Sequence, residues 1–237
     1  REVSRLVQRP QKKVMQHGVV QHGDSGPLDR APVNVPVEVI VAQMVEALLA
    51  AVILLHLLYA SGALFRLGAA AGLSWLVVSE EMFRALHVGL MMVVAFILYS
   101  ATGKSSKGSL PWYDILLIVL GLGSNLYFVI FYNEVTGHYL RGTITTTEII
   151  LGMLVLGIMM EAGRRAAGGI WMPLLALIFF VYPLIQNFLP GFLYGRTQSL
   201  ANVIRHAGPS AGGMYGDMVG LGATVIVCFL FFGQILQ

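Results

Sequence analysis

The chain has 237 residues, of which 57% are hydrophobic and 11% charged, with a formal net charge of +3. A soluble globular domain carries about 25% charged residues, so this composition, with a mean hydropathy of +0.75, excludes an ordinary water-soluble fold and predicts an all-α polytopic membrane protein. The basic residues lie at the ends of apolar runs rather than along one polar face, which excludes a nucleic-acid footprint. A lone cysteine, Cys228, sits inside the last apolar run. It excludes an intrachain disulfide framework or a cysteine metal site and reads as a small buried hydrophobe.

In chain order, residues 1–37 form a basic tail, with Arg1, Arg5, Arg9, Lys12, Lys13 and Arg30 among four prolines. Too few apolar residues are present to offset the entropy of ordering, so a flexible cytoplasmic segment is expected. The tail has no apolar run of the kind a signal peptide needs, and the chain does not begin with Met. It is therefore expected to be a piece of a longer polypeptide.

A hydrocarbon core about 30 Å thick needs about 20 apolar helical residues. On that ruler six spans are predicted, at residues 39–64, 82–99, 111–132, 148–161, 169–187 and 214–237. Pro111 sits at the start of the third, where its missing N–H costs nothing. Thr145 and Glu148 read as a capping box opening the fourth. Residues 65–79 and the polar stretches 102–110 and 133–147 are expected to be connections. Between the last two spans, a Pro/Gly-punctuated segment leads into a short amphipathic piece at residues 199–206.

With the N-terminus cytoplasmic, ten of the 15 Lys and Arg residues fall on the cytoplasmic side: the six of the tail, Lys104, Lys107, Arg164 and Arg165. Five fall on the other: Arg66, Arg84, Arg141, Arg196 and Arg205. That excess predicts an N-in topology, and it comes from the tail.

Ionisable residues inside a span cost about 2.5–3.5 kcal/mol at the bilayer centre. Glu46, His56, His87 and Asp114 are the candidates. Glu46 and Asp114 lie near an interface, and Trp112, Tyr113 and Asp114 together read as an interfacial anchor. His56 and His87 fall on neighbouring antiparallel spans. They are expected to hydrogen-bond between helices or sit near the outer boundary, the alternative being axial ligation of a haem iron in a b-type anchor subunit. Glu161, Arg164 and Arg165 are spaced i, i+3 and i, i+4 on one helical face, a structural cluster at the cytoplasmic end. Gly121, Gly123, Ser124, Gly152 and Gly157 read as small faces for close helix packing. No nucleotide-binding, metalloprotease or hydrolase motif occurs, and no enzymatic activity is expected.

Several stretches carry a resemblance. They are Arg84-Ala-Leu-His87-Val-Gly, Leu110-Pro-Trp-Tyr-Asp114, Glu161-Ala-Gly-Arg-Arg165, Trp171-Met-Pro173, Leu189-Pro-Gly-Phe-Leu and Gly195-Arg-Thr-Gln-Ser-Leu-Ala-Asn-Val-Ile204. Gly213-Met-Tyr-Gly-Asp-Met-Val-Gly-Leu-Gly-Ala-Thr224 continues the series. In this order the chain resembles the fused membrane permeases of tripartite ATP-independent periplasmic (TRAP) transporters over about two thirds of its length. The resemblance implies a small four-helix membrane subunit at residues 38–166. A connecting helix, an outer amphipathic loop and the first helix of the large transport subunit would follow at residues 167–237. It also implies a cation-coupled importer of organic acids, commonly driven by sodium, in the bacterial inner membrane, fed by a periplasmic solute-binding protein. Substrate and sodium sites are then expected beyond Gln237, in the remainder of the large subunit, and this part is expected to act as scaffold; a purely structural membrane scaffold is the further alternative. The exposed basic loop 188–213, with Arg196 and Arg205, is expected to face the binding protein.

Overall fold

The computed structural model describes residues 37–73, 76–99, 101 and 111–236. The basic tail up to residue 36 and the Lys104 connection lie outside them. All regular structure among the described residues is helical. The chain divides into two compact units, Arg1–Ala51 and Val52–Gln237.

Helix α1, Val37–Ala60, contributes to both units. It stops four residues short of the expected end because the chain turns at Gly62, whose φ of 70° is left-handed and open to glycine at little cost. Residues 63–71, expected as part connection, form α2, Ala63–Ala71. Helix α3, Glu80–Leu98, is opened by the Ser79 hydroxyl, which accepts from Met82 N, and carries Glu80 and Glu81 in its first turn, where acids complement the dipole. Helix α4, Trp112–Ile130, begins directly after Pro111.

The expected connection 133–147 contains a helix, α5, Tyr132–Leu140, seated by the buried Val135. The capping box forms as expected: Glu148 N donates to Thr145 Oγ1 at 3.3 Å and Thr145 N donates to Glu148 Oε2 at 3.0 Å. It opens α6, Thr146–Ala166, which runs five residues past Glu161 and carries the acid and both arginines on helix. Helix α7, Trp171–Ile185, continues as a 3-10 turn to Phe188. The amphipathic piece is α8, Leu200–Ala207, capped by Ser199. The last span, α9, Asp217–Ile235, contains a π-helical stretch at Gly222–Ile226. Six of these segments are long and apolar enough to cross a membrane, so this is an all-α, multi-pass membrane protein.

The core of the second unit lies where α3, α4 and α6 meet. Ala85, Val88, Met92 and Phe96 on α3 face Phe128 on α4 and Val155, Ile158 and Ala162 on α6. Lipid tails give no hydrophobic drive between helices, so contact rests on close approach and shape. Gly89 leaves room for Asn125, and Gly121 for Ile158 and Met92. Gly123 and Gly157, read as packing positions, have open space around them instead, since they point away from this seam. Alternation of the spans places residues 98, 112, 166 and 171 at one end, called the Trp112 end, and residues 80, 132, 146, 185 and 217 at the other, the Tyr132 end.

Candidate functional site

At the Trp112 end the predicted Glu161 cluster forms and extends further. Arg164 Nε and Nη2 donate to the two oxygens of Glu161 at 2.7 and 2.8 Å, and Arg165 Nε donates to Glu161 Oε1 at 2.7 Å. Arg165 Nη1 also donates to Asp114 Oδ1 at 2.7 Å, and its guanidinium lies 4.8 Å from the Phe96 ring centre. The interfacial anchor read for residues 112–114 therefore divides. Trp112 is 76% exposed and Tyr113 is exposed, whereas Asp114 is 1% exposed. Successive helical positions point about 100° apart, so a residue beside two outward-facing aromatics turns inward.

His56 and His87 meet as expected. Carbonyls only accept, so His56 Nδ1 donates to Val52 O at 2.6 Å; in the neutral pair His56 Nε2 then accepts from His87 Nδ1 at 2.7 Å. Two imidazoles on opposite sides of a metal have their nitrogens about 4 Å apart, at about 2 Å per bond. The observed contact leaves no space for an iron between them. One turn before His87, Arg84 reaches α9: its Nη1 lies 3.1 Å from Asp217 Oδ1 and donates to Tyr215 O at 3.3 Å. The spacing of Arg84 and His87 thus puts both on the face that receives α9, where Gly220 and Gly222 admit them.

A buried polar chain was not evident from sequence. Asn125, in mid-helix, donates to Gly121 O at 2.7 Å and accepts from the Tyr215 hydroxyl at 2.9 Å. Near the Tyr132 end, His138 Nδ1 donates to the buried Glu148 Oε1 at 2.7 Å. Tyr139 Oη is buried without a hydrogen-bond partner among the described residues. Burial pushes the phenols of Tyr139 and Tyr215 up, holding both neutral. The one signal for Asn125 was an amide inside an apolar helix, which membrane interiors rarely admit unpaired. Thr224, by contrast, bonds its own helix at Gly220 O, 2.8 Å away.

At the Tyr132 end the structure brings Arg196 and Arg205 to one open cavity of about 450 Å³, which Asn202, Thr197 and Gly142 also line. Arg196 is exposed and Arg205 half-buried. Arg205 Nη1 donates to Tyr139 O at 3.3 Å and Nη2 to Asn202 Oδ1, which orients its guanidinium. Neither arginine has a carboxylate partner among the described residues. Arg205 also borders a second, less polar cavity of about 300 Å³ walled by Phe128, Tyr132, Tyr139 and Tyr215. Among the described residues no group of three or more His, Cys, Asp or Glu is arranged to hold a metal ion.

No protein-family model matches the chain, and neither curated proteins nor solved structures give a match.

Proposed function

We propose that this chain is the frame-bearing part of a TRAP-type permease. It would belong to a cation-coupled secondary importer, driven by sodium, that takes organic acids from a periplasmic solute-binding protein across the bacterial inner membrane. The four-helix part and α7 stiffen the assembly. Substrate and sodium are held by other segments of the transport subunit.

The observation that supports this reading is how the ionisable groups are distributed. In the bundle, Asp114, Glu161, Arg164 and Arg165 pair with one another, as do His138 and Glu148 and the two imidazoles of His56 and His87. Such internal pairing suits a rigid frame and leaves little to meet a solute. Of the four arginines without a carboxylate partner among the described residues, Arg66, Arg141, Arg196 and Arg205, the last two share a solvent-open face at the Tyr132 end, as a docking surface for an acidic partner requires.

The test is organic-acid uptake in cells that express the whole permease and its binding protein. Replacing Arg196 and Arg205 together by Glu should lower uptake about tenfold or more, since like charges across an interface cost several kcal/mol. Unchanged uptake at equal membrane abundance would remove the docking role.

A further inference from the structure

The cavity that holds Arg196 and Arg205 has a built wall. Gln198 N donates to Pro183 O at 2.9 Å and Gly195 N to Gln186 O at 3.2 Å, fixing the segment before α8 to the end of α7. The side-chain amides of Gln186 and Gln198 both donate to Arg196 O. A side chain at Gly195 would collide with Gln186, its Cβ lying 2.5 Å from Oε1, so glycine permits that approach. Arg205 is held by Tyr139 O and by Asn202 on its own helix, and these bonds occupy only part of its guanidinium fork. No acidic residue lines the cavity. Two cations in one polar, preformed space without a counter-charge call for an anion.

Where the cavity sits indicates which anion. The segment leading into it carries Phe188, 81% exposed, Phe192, 95% exposed, and Tyr194, 68% exposed. Exposed aromatic rings at the end of a membrane span favour the headgroup boundary. A guanidinium pair at that depth matches headgroup phosphate oxygens with charge-assisted hydrogen bonds.

We propose that this cavity is a phosphate site whose ligand is the headgroup phosphate of an anionic phospholipid, held by Arg205 and Arg196. The proposal uses the same arginines as the docking role, so that a bound headgroup would compete there with an acidic partner, and it does not depend on that role because its test contains no binding protein. The full chain, purified in an uncharged detergent, is titrated with phosphatidylglycerol in mixed micelles, with inorganic phosphate, and with both together. Retained lipid is read by native mass spectrometry. The wild type is expected to retain phosphatidylglycerol and to release it as phosphate is added.

Arg196→Gln with Arg205→Gln should lower lipid occupancy about tenfold. Thr197→Trp, which fills the cavity from an exposed position without changing charge, should do the same even if the arginine variant folds poorly. Arg205→Lys should retain part of the binding, as a point charge in place of the fork. Lipid occupancy equal in the wild type and in Thr197→Trp would overturn the proposal. Inorganic phosphate bound at these arginines with no competition from lipid would overturn the headgroup assignment and make the ligand a free anion.

Discussion

Asp114 and Arg165 lie 51 positions apart in sequence and meet at 2.7 Å, with each side chain 2% exposed. Breaking a buried pair costs about 3–5 kcal/mol when the remaining charge has no other partner, but Arg165 keeps Glu161 at 2.7 Å, so the loss on removing Asp114 should fall below that range. Asp114→Asn should therefore lower the unfolding midpoint in detergent measurably. Asp114→Asn combined with Arg165→Met should recover part of the loss, because the buried guanidinium half-deprived of its carboxylates is gone while Glu161 keeps Arg164. If the double variant is no more stable than the single, Asp114 and Arg165 do not act as a unit. The acid–base spacing on α6 was legible because i, i+3 and i, i+4 neighbours follow from helix geometry alone. Asp114 was not, since its partner comes from another helix and no local pattern encodes that meeting. The same holds for Asn125, whose partners Met92 and Tyr215 lie 33 and 90 positions away.

Elements were legible in proportion to their apolar length. Six spans stand out in composition alone, whereas α5, Tyr-Asn-Glu-Val-Thr-Gly-His-Tyr-Leu, reads as a loop because its polar residues and central glycine favour other states. It is held by tertiary contacts: Val135 enters the core, and His138 bonds Glu148 on α6. The π stretch in α9 likewise has no local signature, and it lies where Arg84 and His87 approach the helix.

Placement of α8 is the element-scale feature that matters most for the arginine cavity, and it depends on Gly152. A Cβ there would stand 2.8 Å from Ile204 Cγ2 and 3.2 Å from Pro209 Cδ, so α8 rests directly on the α6 backbone. Gly152→Val should push α8 off its seat and misplace Arg205. Limited proteolysis should then cut within residues 196–210 faster than in the wild type, while the helical circular dichroism of the bundle stays near its original value. Equal cleavage rates would mean that α8 is held by its other contacts.

For the whole molecule, orientation follows from the tail's charges and is carried through by span alternation. An N-in chain places the Trp112 end in the cytoplasm and the Tyr132 end outside, the side on which the proposed docking face must lie and to which the headgroup cavity would then also belong. The described residues oppose this on charge alone, with Arg164 and Arg165 at the Trp112 end against Arg66, Arg84, Arg141, Arg196 and Arg205 at the other. The orientation therefore hangs on the tail and the 102–110 connection, of whose cations Arg30, Lys104 and Lys107 lie within the about 15–20 residues of a span's end where the positive-inside effect acts most strongly. Two exposed positions separate the ends: Asn133, on α5, and Ala167, directly after α6. In a Cys228→Ser background, Asn133→Cys should react with a membrane-impermeant thiol reagent in intact cells, and Ala167→Cys only after the membrane is opened. Deleting residues 1–30 should weaken or invert that contrast. If Ala167→Cys labels in intact cells of the undeleted chain, the topology is reversed and the arginine cavity faces the cytoplasm. It would then be out of reach of any periplasmic partner, while its phosphate chemistry would remain suited to the inner leaflet.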